Sequence, residues 1–273
     1  MTHPLFDLSG RVALVSGAAS GMGRAMALAF AEVGANLVLA DINTEGLEGT
    51  AGEIETLGRR AIPVTCDITD LDALDSLFEL VDREYGRIDV QGNVYGPGSM
   101  SQPEETPISE IQYVIHGLVV ARFRACQLAG QRMLRAGRGS IINIGSIGGV
   151  TSLGRGQAAY GMGMAAVVQL TRELSTHWSS RGVRVNAILP AQVMNAGLEE
   201  RIKQTPGLAD VFLRGIPAGR FGQPDDIKGL AIFLASDASA WITGAIIPMD
   251  GGNLAKNSGG SYPGMPGMQS NLT

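Results

Sequence analysis

The sequence predicts an α/β domain built on a doubly wound, seven-stranded parallel sheet with helices on both faces. Short apolar runs alternate with stretches of helical periodicity along almost the whole chain. The first of these runs ends in a glycine-rich turn, and nothing in the pattern repeats or breaks into linkers. The first run, residues 12–16 (VALVS), is closed by Gly17 and reads as a buried strand. Residues 21–33 place Met22, Ala25, Met26, Ala29, Phe30 and Val33 at helical spacing. A second strand, 36–40, ends at Asp41, and a polar helix follows to Leu57. Strands are then expected at 61–66, 88–92, 140–144, 183–189 and 245–249. Helices are expected at 71–85, 108–136, 158–180 and 225–235. Residues 1–255 form one domain in this reading. Residues 256–273, rich in Gly and Pro, form a tail that either frays or lies on a neighbouring subunit through Tyr262, Met265 and Met268.

Composition narrows the function classes. A 45% hydrophobic content supplies a substantial core, and 17% charged residues leave little for long solvated arms. The net charge of −5 argues against nucleic acid as a partner. No stretch approaches the roughly 18 apolar residues of a membrane span. The N-terminus has no basic segment followed by an apolar run, and the only cysteines are Cys66 and Cys126. A cytoplasmic protein with two buried thiols is the expectation. His3, His116 and His177 lie in unrelated elements, which argues against a metal enzyme.

The first strand–turn–helix carries Ser16, Gly17, Ala18, Ala19, Ser20, Gly21, Met22 and Gly23, with glycines at G-x-x-x-G-x-G spacing. Such glycines let the chain turn sharply and bring a diphosphate to the positive end of a helix. The strand before and the helix after make this a Rossmann-type dinucleotide turn, with Gly17, Ser20, Gly21, Met22 and Gly23 as cofactor-binding residues. Asp41, 24 residues after Gly17, can accept both adenosine ribose hydroxyls and repel a 2′-phosphate, which selects NAD over NADP. An ordinary helix N-cap is the competing role for Asp41. Ile42 follows it. Asp67 and Ile68, after the third strand, could hold the adenine edge, with an N-cap again the alternative for Asp67.

These residues, with several that follow, resemble the short-chain dehydrogenase/reductase family. The resemblance runs over about residues 8–252 and includes the 140–146 strand with its Ser, Tyr160, Arg184-Val185-Asn186-Ala187, the Pro217, Arg220, Gly222, Pro224 run, and Met249-Asp250-Gly251-Gly252. It implies a nicotinamide cofactor and a dimer or tetramer built on the helices near 108–136 and 158–180. It implies a Tyr that exchanges the alcohol proton, a Ser that steadies the substrate oxygen, a Lys four residues after the Tyr, and an Asn on the long helix that completes a proton relay. Ser146 and Tyr160, 14 residues apart, match the first two and are the catalytic candidates. A strand-end hydroxyl and a packing tyrosine are the plainer readings of the same residues.

The other two positions depart. Met164 stands in place of the Lys, and Leu118 in place of the Asn. The family's N-N-A-G reads Asn93-Val94-Tyr95-Gly96, where Asn93 is taken as cofactor-binding and Tyr95 replaces a small residue. After the sixth strand, Ala191 and Asn195 replace a Gly and a Thr, and Asn195 could still meet the nicotinamide carboxamide. The adenine side thus reads as intact, while Met164, Leu118, Val94, Tyr95, Ala191 and Asn195 are assigned to the nicotinamide side. Two functions compete on this pattern. One is a catalytically impaired NAD-binding member, a non-catalytic subunit pairing with an active relative in a hetero-oligomer. The other is an active NAD-dependent dehydrogenase using Ser146 and Tyr160 with a non-standard relay, acting on an acidic substrate. A different reaction on the scaffold, such as elimination, ranks behind both. Residues 194–219, with Leu198, Ile202, Leu208, Val211, Phe212 and Leu213, are expected to form a partly apolar lid that leaves the substrate unnamed.

Overall fold

A computed structural model describes residues 3–256, so the tail anchors Tyr262, Met265 and Met268 lie outside the described residues. The strands are β1 (Val12–Ser16), β2 (Asn36–Asp41), β3 (Ala61–Thr65), β4 (Val90–Asn93), β5 (Gly139–Ile144), β6 (Val183–Pro190) and β7 (Ile246–Met249). They form one seven-stranded parallel sheet in the order β3-β2-β1-β4-β5-β6-β7. The helices are α1 (Gly21–Glu32), α2 (Thr44–Thr56), α3 (Leu71–Tyr85), α4 (Ile108–Ile115), α5 (Arg122–Ala136), α6 (Ala158–Trp178), α7 (Ala196–Gln204), α8 (Leu208–Arg214) and α9 (Lys228–Ala235).

Every residue of β1 is buried, as expected of a central parallel strand covered on both faces. One face packs on α1, α2 and α9 around Leu8, Met26, Phe30, Leu37 and Leu234. The other packs on α3 and α5 around Leu74, Phe78, Val81, Cys126 and Met133. Each fully buried Leu or Phe contributes roughly 1.5–3 kcal/mol relative to exposure. The two edge strands each carry a proline, Pro63 in β3 and Pro248 in β7. A missing N–H is tolerated at an edge and discourages pairing with another chain. Both cysteines are free and buried. Among the described residues no helix is long and apolar enough to cross a membrane.

Three features depart from the sequence reading. The helical stretch 108–136 is interrupted by one π-helical segment, His116–Ala121, centred on Leu118. Wide i→i+5 turns of this kind are often found at functional sites. Residues 194–219, expected as a lid with no element assigned, carry two short helices, α7 and α8. The last strand starts at Ile246.

Strand order reverses between β1 and β4, which pair in register from Ala13↔Val90 to Ser16↔Asn93. In open α/β sheets the crevice beyond the carboxyl ends of the strands at this switch is where ligands bind.

Candidate active site

The turn from β1 to α1 is shaped by two glycines. Gly17 adopts φ +70°, a left-handed conformation that side chains disfavour, and a Cβ there would lie 3.2 Å from the Tyr95 amide. A Cβ on Gly23 would come within 1.9 Å of the Gly17 carbonyl, so α1 can seat against the turn only with glycine at this position. The Thr50 hydroxyl reaches across from α2 and donates to the Ala18 carbonyl at 3.0 Å. Ser20 is the N-cap of α1, yet its side chain makes no capping hydrogen bond. Nothing lies within 4 Å of where a Gly21 Cβ would be. The N-terminal amides of α1, including those of Met22 and Gly23, therefore open onto free space, the arrangement a diphosphate requires.

Asp41 ends β2. Its Oδ2 accepts from the Ala19 amide at 3.1 Å and its Oδ1 from the Asn43 amide at 3.1 Å. The N-cap of α2 is Asn43, not Asp41. The carboxylate is thus fixed beside the glycine turn, where it could meet ribose hydroxyls. Ile42 beside it is 66% exposed, while Ile68 is buried. Asp67 accepts from both the amide and the hydroxyl of Thr69, at 2.9 and 2.7 Å, so its side chain holds a local turn. The N-cap of α3 is Asp70.

Between β4 and β5 lies a buried polar network. Asn93 Nδ2 donates to Asn143 Oδ1 at 2.9 Å, and Asn143 Nδ2 donates to the Thr171 hydroxyl at 3.1 Å. The Asn93 side chain is therefore spent inside the sheet. Its carbonyl is taken too, by Arg122 Nη1 at 2.9 Å. The same nitrogen donates to the Ile144 carbonyl at 2.8 Å, and Nη2 donates to the Tyr95 carbonyl. Arg122 is 2% exposed, and burial lowers its pKa to about 10. Sequence reading missed this cation. Its signal was present, because Leu118, Arg122 and Cys126 recur every four residues on the face that packs inward.

Ser146, just beyond β5, is buried, and its Oγ accepts from the Gly148 amide at 3.1 Å. Tyr160 sits in the first turn of α6 beside it. Burial pushes the Tyr160 phenol above its ordinary range. A hydrogen bond with Ser146 and the charges of Arg122 and Arg155 pull the other way. Leu118 and Met164 are both buried in one apolar cluster with Val114, Ala159 and Val167, and Tyr160 packs against it. The Leu118 side chain fills the space over Gly96 and Gly163.

Two positions differ from the division expected on sequence. Tyr95 packs apart from Leu118 and Met164. Its chain, gripped at the carbonyl by Arg122, packs on the cluster containing Cys66 and Ile68. Burial, foremost, and then a hydrogen bond and the proximity of Tyr113, Asp67 and Asp41 push its phenol up to about 12. The ring thus lies toward Asp41 and Asp67, which the sequence reading assigns to the adenosine side. Asn195 is the N-cap of α7, accepting from the Leu198 amide at 3.0 Å and donating to the Val193 carbonyl at 3.1 Å. Its side chain is committed to the helix end rather than to a ligand. His116 lies within 2.8 Å of the Thr69 carbonyl and ties the π segment to the loop after β3.

Beside Ile147 and Arg155 opens a cleft of about 740 Å³, lined by neither Ser146 nor Tyr160, between the loop 147–155, α7, α8 and residues 253–256. Its walls carry Arg155, Arg201, Arg214 and Lys256. The partly apolar lining expected from the lid is represented by Leu208, Val211 and Phe212, and the charged lining residues are cationic. Among the described residues no group of three or more His, Cys, Asp or Glu is arranged to hold a metal ion.

A glycine turn over a bare helix N-terminus, a carboxylate at the end of β2, and a Ser–Tyr pair at the end of β5 define a dinucleotide-fold oxidoreductase. The family model described as enoyl-(acyl carrier protein) reductase matches residues 17–253. The chain belongs to the short-chain dehydrogenase/reductase family. It is 37% identical over 251 residues to D-threitol dehydrogenase of Mycolicibacterium smegmatis, covering 92% of this chain and 95% of that one. It is similar to the crystal structure of a short-chain type dehydrogenase/reductase from Mycobacterium marinum, with a TM-score of 0.84 and 32% identity over 92% of this chain and 98% of that one. It is also similar to a gluconate 5-dehydrogenase from Burkholderia cenocepacia in complex with NADP and tartrate. There the TM-score is 0.87 and the identity 27%, over 93% and 99% of the two chains.

Proposed function

We propose that the chain is an active NAD-dependent dehydrogenase that interconverts a secondary alcohol and a ketone, with Ser146 and Tyr160 as its catalytic pair. The observation that carries this reading is the partly buried Tyr160 beside Ser146, whose hydrogen bond, with the charges of Arg122 and Arg155, opposes the rise that burial causes in its phenol. In the family pattern a Lys supplies that charge, and Met164 cannot. Arg122 reaches the same region from α5, and Arg155 from the loop before α6.

The residues fit a dinucleotide. Gly17, Ser20, Gly21, Met22 and Gly23 would cradle the diphosphate, Asp41 the adenosine ribose, and Ile42, Asp67 and Ile68 the adenine edge. Asn93 would contribute only through its backbone, since its side chain bonds Asn143. Asp41 favours NAD, because a 2′-phosphate would meet its carboxylate. When bound, the nicotinamide accepts or returns the hydride. In the oxidising direction Ser146 donates a hydrogen bond to the substrate oxygen while Tyr160, as phenolate, takes the hydroxyl proton. The carbon–hydrogen bond breaks with its electron pair, leaving a ketone, and reduction reverses each transfer.

The domain runs over residues 1–255 with 256–273 as a tail, and a cytoplasmic location accompanies this reading. Val120 and Phe123, 43% and 44% exposed on the outer side of the π segment and α5, support association with another copy.

A second reading is favoured by one observation. The Leu118 and Met164 cluster is apolar where a relay would need polar groups. On that reading the chain alone is impaired and serves as the non-catalytic subunit of a hetero-oligomer. Calorimetric titration with NAD, NADH and NADP, followed by turnover of a panel of secondary alcohols and ketones by the wild type, Ser146→Ala and Tyr160→Phe, separates the two. Turnover lost in both variants supports the active reading. Cofactor binding without turnover on any compound supports the second.

A further inference from the structure

The cleft beside Arg155 has an unusual charge distribution. Four cations line it, Arg155, Arg201, Arg214 and Lys256, and no Asp or Glu does. Among the described residues none of the four enters an ion pair. Elsewhere on the surface, Arg124, Arg132 and Arg220 each hold a carboxylate with two nitrogens.

Arg155 is the best placed of the four. Its Nε donates to Gln157 Oε1 at 2.7 Å, and its guanidinium lies 5.1 Å over the Phe212 ring. These contacts orient the group and leave both Nη nitrogens without partners among the described residues. Arg155 and Arg201 both line the cleft, and burial, followed by like charge from Arg201, lowers the Arg155 pKa. Lys256 donates to the Arg214 carbonyl, which closes the far wall. Gln192 lines the same cleft, and its Oε1 is buried without a hydrogen-bond partner. An unmatched acceptor beside unmatched cations calls for a ligand carrying both a hydroxyl and an anionic group.

We propose that this cleft takes a hydroxy- or oxo-carboxylate, with the carboxylate between Arg155 and Arg201 and a hydroxyl on Gln192. This rests on the reading of Ser146 and Tyr160 as the reacting pair and adds the substrate class. Planar guanidinium forks suit a carboxylate, and a low-dielectric cleft lined by one sign of charge concentrates anions.

The test compares carboxylates with neutral polyols of the same carbon skeleton, by calorimetric titration into the full chain with and without NADH. The pairs are tartrate with threitol and gluconate with glucitol. The expected result is that a carboxylate binds at least about tenfold more tightly than its polyol, with an affinity that falls as salt rises. Arg201→Gln and Arg155→Gln should each weaken the carboxylate about tenfold and leave the polyol unchanged. Arg201→Lys should recover part of the loss, and Lys203→Gln, which removes an exposed charge from the same helix, should change nothing. Thermal unfolding of each variant reports whether it is folded. Equal affinity for carboxylate and polyol overturns the proposal. So does a carboxylate affinity indifferent to Arg155 and Arg201, or no carboxylate binding up to millimolar concentration. Arginine-dependent binding of a carboxylate without hydride transfer leaves the proposal standing and overturns the assignment of an active dehydrogenase instead.

Discussion

Arg122 Nη1 donates to the carbonyl of Ile144 at 2.8 Å, two residues before Ser146. That bond ties a buried cation on α5 to the strand end that presents Ser146, and companion bonds to Asn93 and Tyr95 tie it to the β4 end as well. Arg122→Met should leave three carbonyls without this donor and cost ~2–5 kcal/mol of stability, read from denaturant unfolding. It should also move the pH profile of oxidation. Oxidation needs the Tyr160 phenolate, and a nearby cation favours that form. Removing the cation therefore raises the phenol further and shifts the half-maximal rate to higher pH. Arg122→Lys should shift it less. A profile unmoved in folded Arg122→Met would disconnect Arg122 from Tyr160.

Met164→Lys introduces an ammonium among Leu118, Val114, Ala159 and Val167. The single variant should unfold at lower temperature, since that cluster offers a buried charge no partner. Met164→Lys with Leu118→Asn supplies a polar neighbour and should recover stability and raise turnover above the wild type. Because Tyr95 lies on the adenosine side, it need not be changed for this effect. Full stability in the single variant would show that the slot is wetter than its lining.

Asp41→Ala should narrow the preference for NAD over NADP by about tenfold or more, measured as a ratio of dissociation constants. The carboxylate is held by the Ala19 and Asn43 amides, so its removal changes charge more than shape. Equal affinity for both cofactors in the wild type would place Asp41 outside the site.

Tyr95→Ala should open the adenosine side and tighten dinucleotide binding, because the ring near Asp67 and Asp41 occupies space beside the ribose. With its phenol held up at about 12, Tyr95 stays neutral through the physiological range. The gain in affinity should therefore be flat with pH from 6 to 9, about one unit or more below any ionisation of an ordinary phenol. Weaker binding in the variant would mean that the ring stacks on the cofactor.

Asn143→Leu should destabilise the sheet by ~1–3 kcal/mol for each buried group it strands, the Asn93 amide and the Thr171 hydroxyl foremost. Chemical denaturation measures the loss. A neutral substitution would mean that water replaces the lost partner.

Several elements were legible because their signals are local. The run 12–16 is apolar without alternation because β1 is buried on both faces, and the glycines at 17, 21 and 23 are demanded by backbone approach within a few residues. Ser146 and Tyr160 were legible from their spacing and flanks, as were the departures at Leu118 and Met164. The side on which Tyr95 falls was not legible. Its position depends on Arg122, 27 residues away, whose hydrogen bonds steer the chain after β4. Asn195 was assigned to a ligand because its neighbours in sequence matched a family pattern, whereas the start of α7 uses its side chain as a cap.

The sequence by itself determined the parallel α/β architecture, the dinucleotide turn, the carboxylate at the end of β2, the Ser–Tyr pair and the loss of the usual lysine. Each is written in periodicity or spacing over short stretches of chain. Only the tertiary structure decided which charges lie near Tyr160 and what the cleft beside Arg155 looks like. Arg122 and Arg155 approach Tyr160 from different elements, and Arg155, Arg201 and Lys256 meet across one cleft although 46 and 55 residues separate them. Coulomb energy depends on distance through space, which folding sets and sequence separation does not.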